Sequence, residues 1–213
     1  MDGAIRSIMS FIASAVFFVL STFGINTGTE QPKYEVIERI GNSIEIREYA
    51  PRIAAEATID VTKSANPRGD AFRIVAAYIF GANKGKKKID MTAPVEVKSV
   101  GEKIAMTAPV EVDKSEKRLT MRFFMPTQYS RGELPEPTDS RVRLIDIPSE
   151  TVAALRFSGS TSDAAVSART TELLKLLKRT NWKIEGAPTA FFYNPPWTIP
   201  FLRRNEIVVA VSK

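Results

Sequence analysis

The chain has 213 residues, 44% hydrophobic and 25% charged, with 30 basic and 24 acidic side chains for a net charge of +6. This is an ordinary globular balance for one domain, two at most, with a modest basic excess rather than a nucleic-acid-binding tail. The sequence contains no cysteine and no histidine, which excludes disulfides, thiolate nucleophiles, Fe–S clusters, Ser-His-Asp triads and imidazole metal ligands.

No charged residue occurs between Arg6 and Glu30, and the stretch from Ile8 to Phe23 is almost wholly apolar. About 20 such residues at about 1.5 Å each cross a hydrocarbon core of about 30 Å. Residues 1–32 therefore read as an anchor or signal segment plus linker, with the anchor preferred because no clean small-x-small cleavage site appears. Arg6 is the only basic side chain ahead of the span, so charge asymmetry orients the N-terminus to the cytoplasm and the domain to the exterior or periplasm. Secretion after cleavage is the alternative.

From Tyr34 the pattern changes to short alternating runs. Tyr34 to Ile40 and Ile44 to Tyr49 read as a hairpin around Gly41-Asn42. The run from Ile53 to Val61 is a third strand, and Ser64 to Pro67 a turn. Asp70 to Phe80 is read as a helix capped by Asp70 and stopped at Gly81, with an inward stripe of Phe72, Val75, Ala76 and Ile79. Strands are expected from Leu119 to Met125, Arg141 to Ile147 and Thr151 to Phe157. A second helix is expected from Thr161 or Ser162 to about Trp182, and strands from Pro188 to Tyr193 and Glu206 to Val211 close the chain. Strands, helix, strands, given twice, make residues 33–213 one α+β domain of two similar halves around an antiparallel sheet.

Met91-Thr92-Ala93-Pro94-Val95-Glu96-Val97 recurs identically as Met106 to Val112. The two copies read as paired strands that bend or sit at an edge where proline cannot donate to the ladder. Their methionines are candidate soft walls of an apolar pocket.

Five motifs in order resemble the SOUL haem-binding family. They are Tyr78 to Lys84 (YIFGANK), the doubled Met-Thr-Ala-Pro-Val, Leu155 to Gly159 (LRFSG), Tyr193 to Trp197 (YNPPW) and Arg203 to Glu206 (RRNE). The resemblance runs from about Tyr34 to Val211. It implies a distorted antiparallel β-barrel or curved sheet with two helices and a pseudo-two-fold internal repeat, the gyrase-inhibitor-like ligand-binding fold. It also implies haem (b-type, non-covalent) or free porphyrin in an apolar groove beside the first helix. Some members use a histidine ligand and none exists here, so this chain is expected to hold the macrocycle by apolar contact and by cations at the propionates.

Candidate walls are Phe72, Val75, Ala76 and Ile79, with Met91 and Met106 opposite and Trp197 and Phe201 at the rim. Arg68, Arg73, Lys84, Arg203 and Arg204 are candidate propionate partners. Tyr78 is the best-placed tyrosine for iron, although a packed, hydrogen-bonded hydroxyl is the plainer account of it. Where members of the family carry a lysine late in the first helix, this chain has Ala76-Ala77. The expected function is reversible haem carriage, buffering or sensing without catalysis. A tethered module for an apolar peptide or lipid-like ligand is the first alternative. A carboxylate-dependent hydrolase is the second, and would need one of Glu35, Glu38, Glu45, Glu48, Glu96 or Glu111 buried in the groove with a raised pKa.

Overall fold

The computed structural model describes residues 29–100 and 118–213. The N-terminal apolar segment and the second copy of the repeat, Met106 included, lie outside the described residues. No helix among the described residues is long and apolar enough to cross a membrane.

Ten strands form one sheet. They are β1 (Tyr34–Ile40), β2 (Ile44–Tyr49), β3 (Arg52–Asp60), β4 (Val95–Val100), β5 (Arg118–Phe124), β6 (Val142–Ile147), β7 (Glu150–Phe157), β8 (Lys183–Ile184), β9 (Thr189–Phe192) and β10 (Asn205–Ser212). The order is β1-β2-β7-β10-β9-β4-β5-β3-β6, with β8 added to β10, every pair antiparallel. The sheet curls into a half-barrel carrying two helices, α1 (Pro67–Ile79) and α2 (Asp163–Leu177), which gives the expected α+β curved sheet.

Both helices begin on side-chain caps. Asn66 accepts from the Gly69 backbone N–H, Pro67 occupies the first turn, and Ser162 accepts from the Ala165 N–H at 3.3 Å. The first helix therefore starts three residues before Asp70. The Ser-Ala-Asn-Pro run that reads as a turn is its cap, and Asp70 sits inside the first turn, where a carboxylate suits the helix dipole. The second helix stops at Leu177 rather than near Trp182. Thr180 Oγ1 donates to the Leu177 carbonyl at 2.7 Å and supplies one of the partners that the helix end lacks.

Strand alternation divides the sheet into two faces. One face carries Ala55, Ala57, Leu119, Met121 and Phe123 against α1 and Ile44, Ile46, Leu155, Ile207 and Val209 against α2. A row of facing partners crosses it from Phe157 through Asn205, Phe192, Val95 and Phe123 to Ala55. The other face is buried as well, around Tyr49, Ala54, Phe124, Val152, Phe191, Tyr193 and Val208. This corrects the half-buried reading of Ile44 to Tyr49, because Arg47 on its polar side is only 3% exposed. The expected pairing of the two repeat copies also fails at Val95–Val97. That segment is bonded to β5 on one edge and β9 on the other, so no edge is left for a second copy.

Candidate functional site

A 13-residue helix with Ala71, Ile74, Val75, Tyr78 and Ile79 buried spends most of its apolar surface on the sheet beneath. Val75 and Ile79 are fully buried in the cluster with Ala55, Phe123 and Leu134, and Ala76 is nearly so. They form core rather than the expected macrocycle wall. The stripe reading chose the right helix face and the wrong neighbour, since periodicity cannot say whether a sheet or a ligand covers it. Tyr78 is buried too, and its hydroxyl donates to the Pro135 carbonyl at 2.9 Å. Burial pushes that phenol up to about 12, and its hydroxyl, turned to a carbonyl inside the core, is not presented to the helix surface.

What α1 leaves outside is a different line. Phe72 is 40% exposed and Phe80 61%, eight residues apart, while Ala76 between them is buried. Eight residues of rise place the two rings about 12 Å apart along the helix. Phe72 leans on Phe123 with ring centroids 5.3 Å apart, which ties the ridge to the sheet row. One turn earlier, Arg68 lies over the Phe192 ring at 5.7 Å and donates to the Thr161 carbonyl and Asp163, bridging α1 to the start of α2. In the same loop Gly159 N–H donates to the Pro200 carbonyl at 2.8 Å. That contact brings the 3₁₀ turn Pro200–Leu202 to the neighbourhood of the Arg68 end. The turn holds Phe201 and Leu202 in solvent, with Trp197 just before it and Met91 exposed ahead of β4. Phe80 was not among the candidate residues. It is the last residue of the expected helix, and only its exposure distinguishes it.

The basic candidates separate. Arg73 is 73% exposed and held only by Asp70 one turn back. Lys84 pairs with Glu136. Arg203 donates to the carbonyls of Thr198 and Pro196, at 2.8 and 2.7 Å, and braces the loop that carries Trp197. Arg204 turns to the opposite face, over the Tyr193 ring at 3.8 Å and onto Glu206 at 2.8 Å, and is not available to a propionate on α1.

That opposite face is filled with charge. Glu206 is fully buried and accepts from Arg47 Nη1 and Nη2, Arg204 Nε and Nη2, and the Tyr193 hydroxyl. Burial alone would raise its carboxyl, but Arg47, Arg204 and the hydroxyl outweigh it and hold the pKa below the usual carboxylate range. Burial also works against the Arg47 charge, and Glu206 more than restores it. A second group joins Glu56 to Arg122 and Arg143, and Arg122 to Glu96 at 3.1 Å. Glu96 is buried with that single arginine contact, and desolvation leaves its carboxyl raised despite Arg122. The strand carboxylates expected to face water thus divide. Glu35, Glu38 and Glu48 are exposed, Glu45 is half-buried between Arg39 and Arg47, Glu96 is buried, and two arginine-paired buried carboxylates, Glu56 and Glu206, were not among the candidates. Among the described residues no cluster of three or more carboxylates could hold a metal ion.

The family model for the SOUL heme-binding protein matches residues 29–210. The chain belongs to this family. No curated protein matches it. Among solved structures, the C-terminal domain of EcmrR is 14% identical, covering 84% of this chain and 98% of that one at a TM-score of 0.51. An uncharacterized conserved protein from Listeria innocua is 12% identical, with coverage of 87% and 94% and a TM-score of 0.53. A hydrolase from Listeria innocua is 12% identical, with coverage of 88% and 94% and a TM-score of 0.51. At these identities the SOUL protein shares a fold with them and nothing more.

Proposed function

We propose that this SOUL protein binds haem or a related tetrapyrrole reversibly, as a carrier, buffer or sensor, through apolar contact and cation–propionate pairing. The observation that carries the reading is the pair of rings Phe72 and Phe80, left 40% and 61% exposed along α1 while most of the helix's other apolar surface is buried as core. Isolated exposed apolar residues need no explanation, but an aligned set beside an exposed aromatic turn marks a binding surface.

The residues fit a macrocycle face and two carboxylates. Phe72 and Phe80 would meet the ring, with Phe201 and Trp197 at the rim, and Arg73 and Arg68 would meet the propionates. They do not fit an imidazole–iron bond, since the chain has no histidine. Tyr49 and Tyr193 are locked into the Glu206 network, Tyr34 lies under Arg47 and Tyr129 under Lys87, and Met91 is the exposed methionine among the described residues. When bound, haem would supply its iron for exchange or sensing, and the protein would supply contact area. Covering about 300 Å² of apolar surface is worth about 7 kcal/mol. With association costs of about 4 kcal/mol or more set against it, contact area alone supports binding no tighter than about millimolar, and the propionate pairs must supply any greater affinity. We infer binding without catalysis, as Glu56 and Glu206 are neutralised by arginines and Glu96, the candidate carboxyl that is raised, lies on the sheet face away from α1 against Arg122. We also infer a membrane tether through residues 8–23, with the domain outside the cytoplasm.

Haemin titrated into the purified chain tests the reading. A saturable Soret shift is expected, weakened at least about tenfold by Phe72→Glu or Phe80→Glu, with far-UV circular dichroism unchanged. A spectrum identical to free haemin at saturating protein would overturn it.

A further inference from the structure

We propose that the mouth of the half-barrel holds a second site, for a small carboxylate with an apolar tail, built around Arg52. The side chain of Arg52 is only 6% exposed. Its guanidinium lies 4.6 Å from the Tyr49 ring centroid and 5.1 Å from that of Phe124, a slot between two aromatic rings. One nitrogen pairs with Glu150. The other two, Nε and Nη1, are buried without a hydrogen-bond partner among the described residues. Buried donors are normally satisfied, because an unmade bond there carries the full cost of desolvation.

Arg52 forms part of the wall of a cavity of about 200 Å³. The other walls are mostly apolar, from Pro32, Ala50, Pro51, Phe124 and Met125. The polar neighbours are already engaged. Thr92 Oγ1 donates to the Phe124 carbonyl at 2.6 Å, and Glu30 accepts from the Thr127 N–H at 2.8 Å. Arg52 is therefore the group that asks for a ligand, and it asks for an acceptor.

The cavity sets the class of that acceptor. A cavity of about 150 Å³ lined by apolar residues holds benzene, so this one takes a molecule of benzoate size. A single carboxylate matches Arg52, the one buried cation of the wall; Lys33, the other cation there, is exposed to solvent. A dianion such as phosphate would bring charge and polar oxygens against proline, phenylalanine and methionine without partners. A cation would face Arg52 itself.

The site also has a lid of known sequence. Residues 30–33, which lead in from the N-terminal segment, line the cavity. They are strapped down by Ala93 N–H to the Glu30 carbonyl at 2.9 Å, by Ala50 N–H to the Lys33 carbonyl at 3.1 Å and by Arg204 to Gln31 at 3.1 Å. This site uses neither the α1 ridge nor any residue assigned to tetrapyrrole binding.

Benzoate titrated into the full chain by calorimetry, with no haemin present, tests the assignment, with methyl benzoate as the uncharged comparison. Saturable benzoate binding in the millimolar range is expected, together with a rise in melting temperature and no response to the ester. Arg52→Met combined with Glu150→Gln, which avoids stranding the glutamate, should weaken benzoate at least about tenfold. Thr127→Phe, which fills the cavity and leaves Arg52 in place, should do the same and covers the case where the Arg52 variant does not fold. Failure to saturate, equal binding of the ester, or undiminished binding in both variants would overturn the proposal. None of those results touches the haem reading, whose readout is the Soret band.

Discussion

Replacing Glu206 with glutamine tests whether the concave face is held by a closed ion network. The carboxylate accepts five hydrogen bonds and has no solvent contact. Glutamine keeps one acceptor and turns a second donor toward two arginines. Breaking a buried pair by removing one partner typically costs about 3–5 kcal/mol, because the other charge stays buried. Arg47 keeps Glu45 at 2.8 Å and Arg204 keeps Gln31, so the low end, about 3 kcal/mol, is expected here. For a domain of this size that corresponds to a fall of about 6–12 °C in melting temperature. Urea unfolding at pH 7 gives the free energy directly. The pH dependence supplies a second constraint. A carboxyl whose folded pKa is depressed stabilises fully above its ordinary value of 4.5, and that contribution is lost as pH falls through the folded value. The gap between wild type and variant should hold at neutral pH and narrow only below 4.5. A loss under about 1 kcal/mol at pH 7 would mean that water reaches Arg47, and the sealed network described above would be wrong.

Glu96→Gln should behave in the opposite way. Its raised carboxyl binds a proton more tightly when folded, so its ionised form costs stability as pH rises through the folded pKa. The variant should be more stable than the wild type at pH 7, and the gain should vanish in acid, as read by urea midpoints across pH. Arg122 retains Glu56 at 2.8 Å in either case. Ile79→Ala should cost about 2–5 kcal/mol by chemical denaturation, as a cavity in a sealed core does. Phe80→Ala, at a solvent-facing ring, should stay within about 0.5 kcal/mol. Tyr78→Phe should leave the haemin spectrum unchanged, since its hydroxyl is spent on Pro135. A Soret change there would return Tyr78 to the list of iron ligands.

The resemblance to the SOUL family rested on five motifs, and two of them have structural roles that account for their fixed order. Asn83 in YIFGANK donates to the carbonyls of Tyr78 and Lys87, at 2.9 and 2.7 Å, and closes the end of α1. The RRNE motif supplies Arg203 to brace the Trp197 loop and Arg204 and Glu206 to the buried network. The motifs identify the fold, and only part of them borders the proposed tetrapyrrole surface. This is why the family could be recognised from the sequence while the site residues could not.

Local rules determined the elements. Alternation located the strands, the Gly41 hairpin and the 3.6-residue period of both helices, because side-chain direction along one element depends on that element's own geometry. The absence of histidine and cysteine determined what chemistry is excluded. Which surface meets which lies beyond a single period. Val75 and Ile79 are as apolar as Phe72 and Phe80, yet sheet packing buries the first pair and leaves the second in water. Arg47, Glu56, Glu96 and Glu206 read as solvated strand residues until the sheet curls and brings both of its faces out of solvent. Burial is a property of curvature and neighbours far apart in sequence, and the tertiary structure alone decides it.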